Sequence, residues 1–219
     1  MITDNSAPQT TALAARQLLR AHRYGALSTL SKKFDGHPFG SITPYLVDHD
    51  GSLLILISAL AEHTKNIMHD PRVSLITHNQ EDAHIQTQGR LTVIGTATLE
   101  NERELAGKRY LRYFPEAQTY YDMPDFQFYR IVPLALRYIG GFGDIHWVKA
   151  DRYQVPPNTL AAEEDALLDQ VNVKREKAQG LLVGIDCDGY DLRLSERTVR
   201  HDFPSPALDG VQALSMLGS

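Results

Sequence analysis

Residues 53–73 read LLILISALAEHTKNIMHDPRV, and this stretch decides the fold. It opens with an apolar run, Leu53 to Ile57, that ends in Ser58. A run this short, bounded by turn signals, predicts a buried strand over 52–57. The polar segment 62–69 predicts a short helix. Asp70-Pro71 closes it, because proline pushes the preceding residue out of the helical region. Another strand, 73–77, follows. A helix start offers unpaired N–H groups and a partial positive charge. Together with the Ser58 and Thr64 hydroxyls, the Lys65 ammonium and His63, this turn can cradle a phosphate. An ordinary capped helix with a solvated lysine gives the same local pattern.

Upstream, Leu13, Leu18, Leu19 and Ala21 give residues 11–23 a roughly helical spacing, with Gly25 as the stop. Residues 24–30 and 39–47 read as strands on either side of Asp35-Gly36, a strong hairpin dipeptide. A second tight turn, 48–51, leads into the strand of the opening stretch. This is a meander rather than a βαβ pattern. Downstream, 84–99 is a long strand-like segment interrupted by Gly89 and Gly95, and glycines there suggest bulges that curl a sheet. Residues 101–114 read as a helix with Leu105, Tyr110, Leu111 and Phe114 inward, ended by Pro115. Strands are expected at 126–132 and 136–139. A further one, 145–148, follows Gly140-Gly141-Phe142-Gly143. About six strands and few helices predict a mainly β, α+β chain built on an antiparallel closed or split β-barrel with flanking helices. An open antiparallel sheet with helices on one face would read almost alike.

Residues 153–159 hold two prolines and read as a linker. Beyond them, 160–179 is helical in pattern, 180–186, 190–194 and 198–203 read as strands, and 206–217 as a last helix. The expected organisation is a barrel domain over 1–152, a linker over 153–159 and a small αβββα C-terminal domain over 160–219. A unit of that size is marginal alone and should pack on the barrel or on a partner chain.

Apolar residues make up 42% of the 219, enough for a real core. The net charge of −5 and the absence of a dense Lys/Arg block argue against a nucleic-acid partner. Cys187 is the only cysteine, which excludes an intramolecular disulfide and a cysteine-rich zinc site. No metal site is expected: His63, His69, His78 and His84 lack HExxH spacing. Asp186, Asp188 and Asp191 lack the loop of an EF-hand and fit a hairpin turn. Residues 1–10 lack the apolar core of a signal peptide, and the longest apolar run is too short to cross a bilayer. The expectation is a cytoplasmic chain without a membrane partner.

Residues Ser58, His63, Thr64, Lys65, Asn66, Asp70, Pro71, Arg72 and Val73 resemble the flavin-phosphate segment of the pyridoxamine 5′-phosphate oxidase-like family. The surroundings agree in order. Residues 24–29, YGALST, resemble that family's first barrel strand, and 36–47, GHPFGSITPYLV, its second. Gln88-Gly89-Arg90-Leu91 through Gly95 resembles the strand after the phosphate segment. The resemblance covers roughly residues 16–148. It implies an FMN-binding split barrel, a homodimer with the cofactor at the subunit interface, and a flavin-dependent oxidoreductase acting on a small molecule. By position it places Ser58, Thr64 and Lys65 on the FMN phosphate, with His63 and Asn66 in the same element. It places Ser41, Ile42, Thr43 and Pro44 along the flavin ring, and Gln88 or Arg90 reaching in from the facing subunit. The vitamin B6 oxidase's own C-terminal Arg/His substrate segment has no counterpart, and no catalytic acid or base stands out.

Residues 137–148, RYIGGFGDIHWV, and 184–193, GIDCDGYDLR, resemble the haem-utilisation (HugZ/HutZ-like) branch with its small C-terminal domain. That resemblance implies haem as the alternative cofactor. Residues 171–177, VNVKREK, stand where the branch carries a histidine and have none. His146 and His201 remain as possible haem ligands, since a neutral imidazole suits iron and Lys or Arg does not. The remaining alternative is a non-catalytic, degenerate binding module.

Overall fold

The computed structural model describes residues 9–79, 88–176 and 179–217. The expected strand portion 84–87, including His84, and the helix portion 177–178 lie outside the described residues. Helix α1 (Gln9–Ala21) is followed by β1 (Tyr24–Leu30), β2 (Pro38–Pro44), β3 (Leu46–Val47) and β4 (Leu53–Ser58). Then come α2 (Glu62–His69), β5 (Arg72–His78), β6 (Arg90–Leu99), α3 (Arg103–Tyr113) and α4 (Gln118–Tyr121). The barrel ends with β7 (Phe126–Gly141), β8 (Asp144–Lys149) and α5 (Ala150–Tyr153). The C-terminal part holds α6 (Leu160–Asn172), β9 (Leu181–Asp186), β10 (Gly189–Leu194), β11 (Arg197–Asp202) and α7 (Gly210–Met216).

Eight strands form one antiparallel sheet in the order β2-β1-β5-β6-β7-β4-β3, with β8 also on β7. The two ends of that order are consecutive in sequence. Residues 38–47 leave the sheet at one edge as β2 and rejoin it at the other as β3. The break falls at Pro44-Tyr45, where Tyr45 is fully buried and its hydroxyl donates to the Leu19 carbonyl at 2.9 Å. The sheet is therefore a curled half-barrel, split beside this corner.

The opening apolar run forms β4, and both of its faces are buried. Leu53, Ile55 and Ile57 join the core under α1, with Ala15, Leu19, Leu27, Leu75 and Ile131. Leu54 and Leu56 face the opposite side and pack with Tyr110, Phe114 and Phe128. That is why the run shows no alternation. By contrast β1 and β5 alternate buried with more exposed positions.

The strands expected at 126–132 and 136–139 are one strand of 16 residues. Pro133 lacks a donor, and the register shifts opposite it between Ile94 and Gly95. A bulge absorbs the missing hydrogen bond and bends the strand instead of ending it. At Gly95 a Cβ would sit 2.4 Å from the Val132 carbonyl, so only glycine permits this crossing. Gly89 precedes β6 rather than interrupting it. The helix expected over 160–179 stops at Asn172, whose side chain exchanges hydrogen bonds of 2.9 Å with the backbone of Leu182.

The C-terminal sheet, β11-β10-β9, is fastened to the barrel by buried charge. Arg16, Arg20 and Arg23 lie on one face of α1 and just past its end. Arg16 grips Asp188 through two bonds of 2.8 and 3.0 Å. Arg20 reaches Asp186 at 3.0 Å, and Arg23 pairs with Asp191. Arg200 adds bonds of 2.7 and 2.8 Å to Asp186. Burial would raise the Asp186 pKa, but Arg20 and Arg200 outweigh it and hold it far below the usual carboxylate range. A second tie joins α3 to α6, where Glu164 meets Arg109 and Arg112. At a third, the Tyr113 hydroxyl donates to Asp191 at 2.8 Å and packs against Gly184, where a Cβ would lie 1.7 Å from the hydroxyl oxygen. Tyr153, placed in the expected linker, is 3% exposed and belongs to the barrel core.

Candidate functional site

A cavity of about 490 Å³ opens where the barrel splits. One wall is the corner of β2, with Ile42, Thr43 and Pro44. A second is the end of β4 and the turn into α2, with Leu56, Ser58 and His63. The third comes from α3 through the start of β7 and is aromatic: Tyr110, Phe114, Tyr120 and Phe126. Tyr120 and Phe126 stack with ring centroids 5.1 Å apart. Among the described residues, the lining holds one acidic residue, Glu116, and no Lys or Arg. Such walls favour a planar, largely apolar ligand.

The residues of the expected phosphate cradle are distributed as follows. Ser58 Oγ donates to Asp125 Oδ2 at 2.6 Å and accepts the Leu60 N–H at 3.0 Å, so it ties the turn to the loop before β7. Thr64 is 1% exposed and donates to the Ser58 carbonyl at 2.6 Å. Asn66 is fully buried. It donates to Thr29 Oγ1 at 3.0 Å and accepts the Lys32 N–H at 2.9 Å, which locks α2 to the end of β1. Lys65 is exposed on α2 and is not part of the cavity lining. Sequence reasoning grouped these residues because they are adjacent. The helix turns most of them inward.

His63 points differently. Its Nδ1 lies 3.1 Å from Ser41 Oγ on β2, and its Nε2 is enclosed without a hydrogen-bond partner. An enclosed nitrogen of this kind costs about 1–3 kcal/mol relative to a satisfied one. Burial pushes the His63 pKa below its ordinary value, so the ring is neutral at pH 7.

Arg90 pairs with Ile139, and Ser58 pairs with Phe126. These pairings lie at opposite ends of β7, roughly 40 Å apart along an extended strand. Within one chain, Arg90 and the neighbouring Gln88 do not meet the cavity. His146 is on β8 at the same far end, with Nε2 2.8 Å from Asp144 Oδ1. His201 is on β11, where its exposed ring stacks on Tyr190 at 4.9 Å. Neither lines the cavity.

A second cavity, of about 430 Å³, lies between α3 and α6, and its charges pair with one another. Arg130 holds Asp48 at 2.8 Å, and Arg109 holds Glu164 at 3.1 Å. Burial would raise the Glu164 pKa, but Arg109, His49 and Arg112 outweigh it and hold it at about 2. Asp186, Cys187 and Asp188 bring ligand-type atoms within 4.8 Å of one another. The two carboxylates there are taken by Arg16, Arg20 and Arg200.

Fold and cavity together define a split β-barrel with an aromatic-walled pocket at the split. The family model described as "CREG, beta-barrel" matches residues 6–155, and the chain belongs to this family. The chain is 40% identical over 129 residues to the chloroplastic noncanonical heme oxygenase HOZ of Arabidopsis thaliana. That match covers 58% of this chain and 39% of the relative, so the chain corresponds to about two fifths of that protein's length. Among solved structures, a protein of unknown function from Agrobacterium tumefaciens is similar at a TM-score of 0.83 and 24% identity, over 99% of this chain and 97% of that one. A heme binding protein from Mycobacterium smegmatis is similar at a TM-score of 0.61 and 23% identity, over 94% and 93%. These two likenesses establish the fold. The first extends it through the C-terminal part. Among the described residues, no helix is long and apolar enough to cross a membrane.

Proposed function

We propose that this chain binds haem in the pocket at the split of the barrel. The observation that carries the reading is the lining: aromatic and aliphatic walls with, among the described residues, no Lys or Arg and one imidazole whose pKa burial lowers. A porphyrin is planar and largely apolar, and imidazole nitrogen is a suitable iron ligand. The walls and the imidazole therefore fit the ring and the iron, while the two propionates, which find no cation in the described lining, would extend through the mouth of the pocket to solvent or to a second copy. The 40% identity to a protein named as a heme oxygenase supports the same ligand and extends the proposal to haem degradation. Bound haem would supply iron that handles oxygen and electrons, while the chain would supply the slot and exclude water.

FMN is the second reading. It is favoured by Ile42, Thr43, Pro44 and Ser58, assigned to the flavin by resemblance and all in the cavity wall. Its phosphate would draw on fewer donors, because the Ser58 and Thr64 hydroxyls already donate within the chain. A cation supplied by a second copy would meet that need. The homodimer reading is supported by the outer face of the sheet, where one row across the strands runs Ile42, Ala26, Ile76, Thr92, Arg137 and Trp147. Ile42, Ile76 and Trp147 are exposed there, an apolar patch that a second copy would cover.

An absorption spectrum of the purified protein, followed by titration with haemin and with FMN, tests these readings. A Soret band that saturates with haemin supports the first. A flavin spectrum and no Soret change would replace it with the second. Light scattering reads the mass and hence the dimer.

A further inference from the structure

We infer that His63 is the residue of this chain that meets the iron of the proposed haem, with Ser41 positioning its ring. The inference rests on the haem reading above and adds to it the ligating atom.

Three observations converge on the side chain. Among the described residues, His63 is the only histidine in the cavity lining. Its Nδ1 is held 3.1 Å from Ser41 Oγ, which fixes the ring plane. Its other nitrogen is enclosed and has no hydrogen-bond partner. When the serine hydroxyl accepts from Nδ1–H, the proton sits on Nδ1 and Nε2 carries a lone pair. That is the tautomer a metal needs, and the arrangement is the usual one in which a second group orients a ligating imidazole.

Neighbouring groups do not compete for Nε2. The Ser58 hydroxyl donates to Asp125, and the Thr64 hydroxyl donates to the Ser58 carbonyl. His146 is bonded to Asp144 at the far end of β7, and His201 is stacked on Tyr190. His49, in the other cavity, lies 3.2 Å from Glu164. A ligand that reaches Nε2 replaces the protein atoms that now cover it and supplies the partner it lacks.

The experiment is haemin titration of the full chain and of His63→Ala, His63→Gln and Ser41→Ala, read by absorption and by resonance Raman of the ferrous form. Circular dichroism and thermal melts establish that each variant is folded. The wild type should show an iron–imidazole stretch. His63→Ala and His63→Gln should lose it and bind haemin about tenfold more weakly or worse, with the band restored by added imidazole in the alanine variant. Ser41→Ala should keep the band but shift it, because the ring loses the partner at Nδ1. Ser41→Thr, which retains a hydroxyl, should restore the wild-type frequency. An unchanged iron–imidazole band in both His63 variants would overturn the inference and leave haem binding intact. No Soret band in the wild type would remove the inference together with the reading it rests on.

Discussion

The cavity at the split and the seam between α1 and the C-terminal hairpin treat charge in opposite ways. In the seam, Arg16, Arg20, Arg23 and Arg200 meet Asp186, Asp188 and Asp191, with all three aspartates nearly fully buried. In the cavity no Lys or Arg among the described residues enters the lining, and burial pushes the His63 pKa down, toward the neutral ring. Buried charge is tolerated where every member has a partner at hand, and the resulting junction resists any change that strands one of them. Arg20 Nε and Arg23 Nε lack a hydrogen bond there, but each guanidinium is paired with an aspartate through another nitrogen, whereas His63 Nε2, in the largely apolar pocket, has no hydrogen-bond partner. The molecule thus separates the work of holding together from the work of binding.

The sharpest way to break the comparison is to unbalance the seam. Asp188→Ala leaves Arg16 buried without its carboxylate and should destabilise the chain by about 3–5 kcal/mol, read from a urea midpoint. Gly184→Ala comes next. Its methyl would overlap the Tyr113 hydroxyl and push β9 from α3, for about 1–3 kcal/mol of overpacking in the same assay. Acid acts more gradually, on the separate tie between α3 and α6. Glu164 is held at about 2, below its ordinary 4.5, so its stabilisation is complete above 4.5 and declines as pH falls toward 2. Between those values it should be lost at up to about 1.4 kcal/mol per pH unit, seen as falling urea midpoints. A change at the pocket should show the reverse profile. Ile42 is 68% exposed in the single chain, so Ile42→Asp should leave the stability of the protomer within about 0.5 kcal/mol, yet weaken haemin binding by about tenfold. The smallest effect belongs to Lys65→Ala, which should change neither stability nor haemin affinity measurably. A large loss of FMN affinity in that variant would instead favour the flavin reading.

Most of the barrel was legible because its signals are local. Asp35-Gly36, Pro71 and the alternation in β1 and β5 mark turns and strands without reference to distant residues. Pro133 misled for a physical reason: the bulge that accommodates it is supplied by the neighbouring strand, at Ile94-Gly95. The arginines of α1 were silent. On a helix that otherwise presents Ala12, Ala15 and Leu19 to the core, Arg16 and Arg20 read as a solvated edge until the hairpin that covers them is in view. The cavity was half legible. Resemblance supplied Ile42, Thr43, Pro44, Ser58 and His63, while of the aromatic wall only Tyr110 and Phe114 were expected to face inward, and as helix packing. Helix α4, which carries Tyr120, has only four residues and so no periodicity to detect. The contact between His63 and Ser41 spans the split, and no spacing rule encodes it.

The pairing of Arg16 with Asp188 joins positions 172 apart in the chain. During synthesis the first helix leaves the ribosome long before its aspartates exist. The strands of the barrel can assemble in the interval, since β1 to β8 need nothing from the hairpin to pair. Arg16 and Arg20 on α1, and Arg23 just past its end, meanwhile lack the carboxylates that later neutralise them. Translation order thus makes the late hairpin a latch on the earliest helix, and a nascent chain halted before residue 186 would hold a formed sheet beneath an unfastened lid.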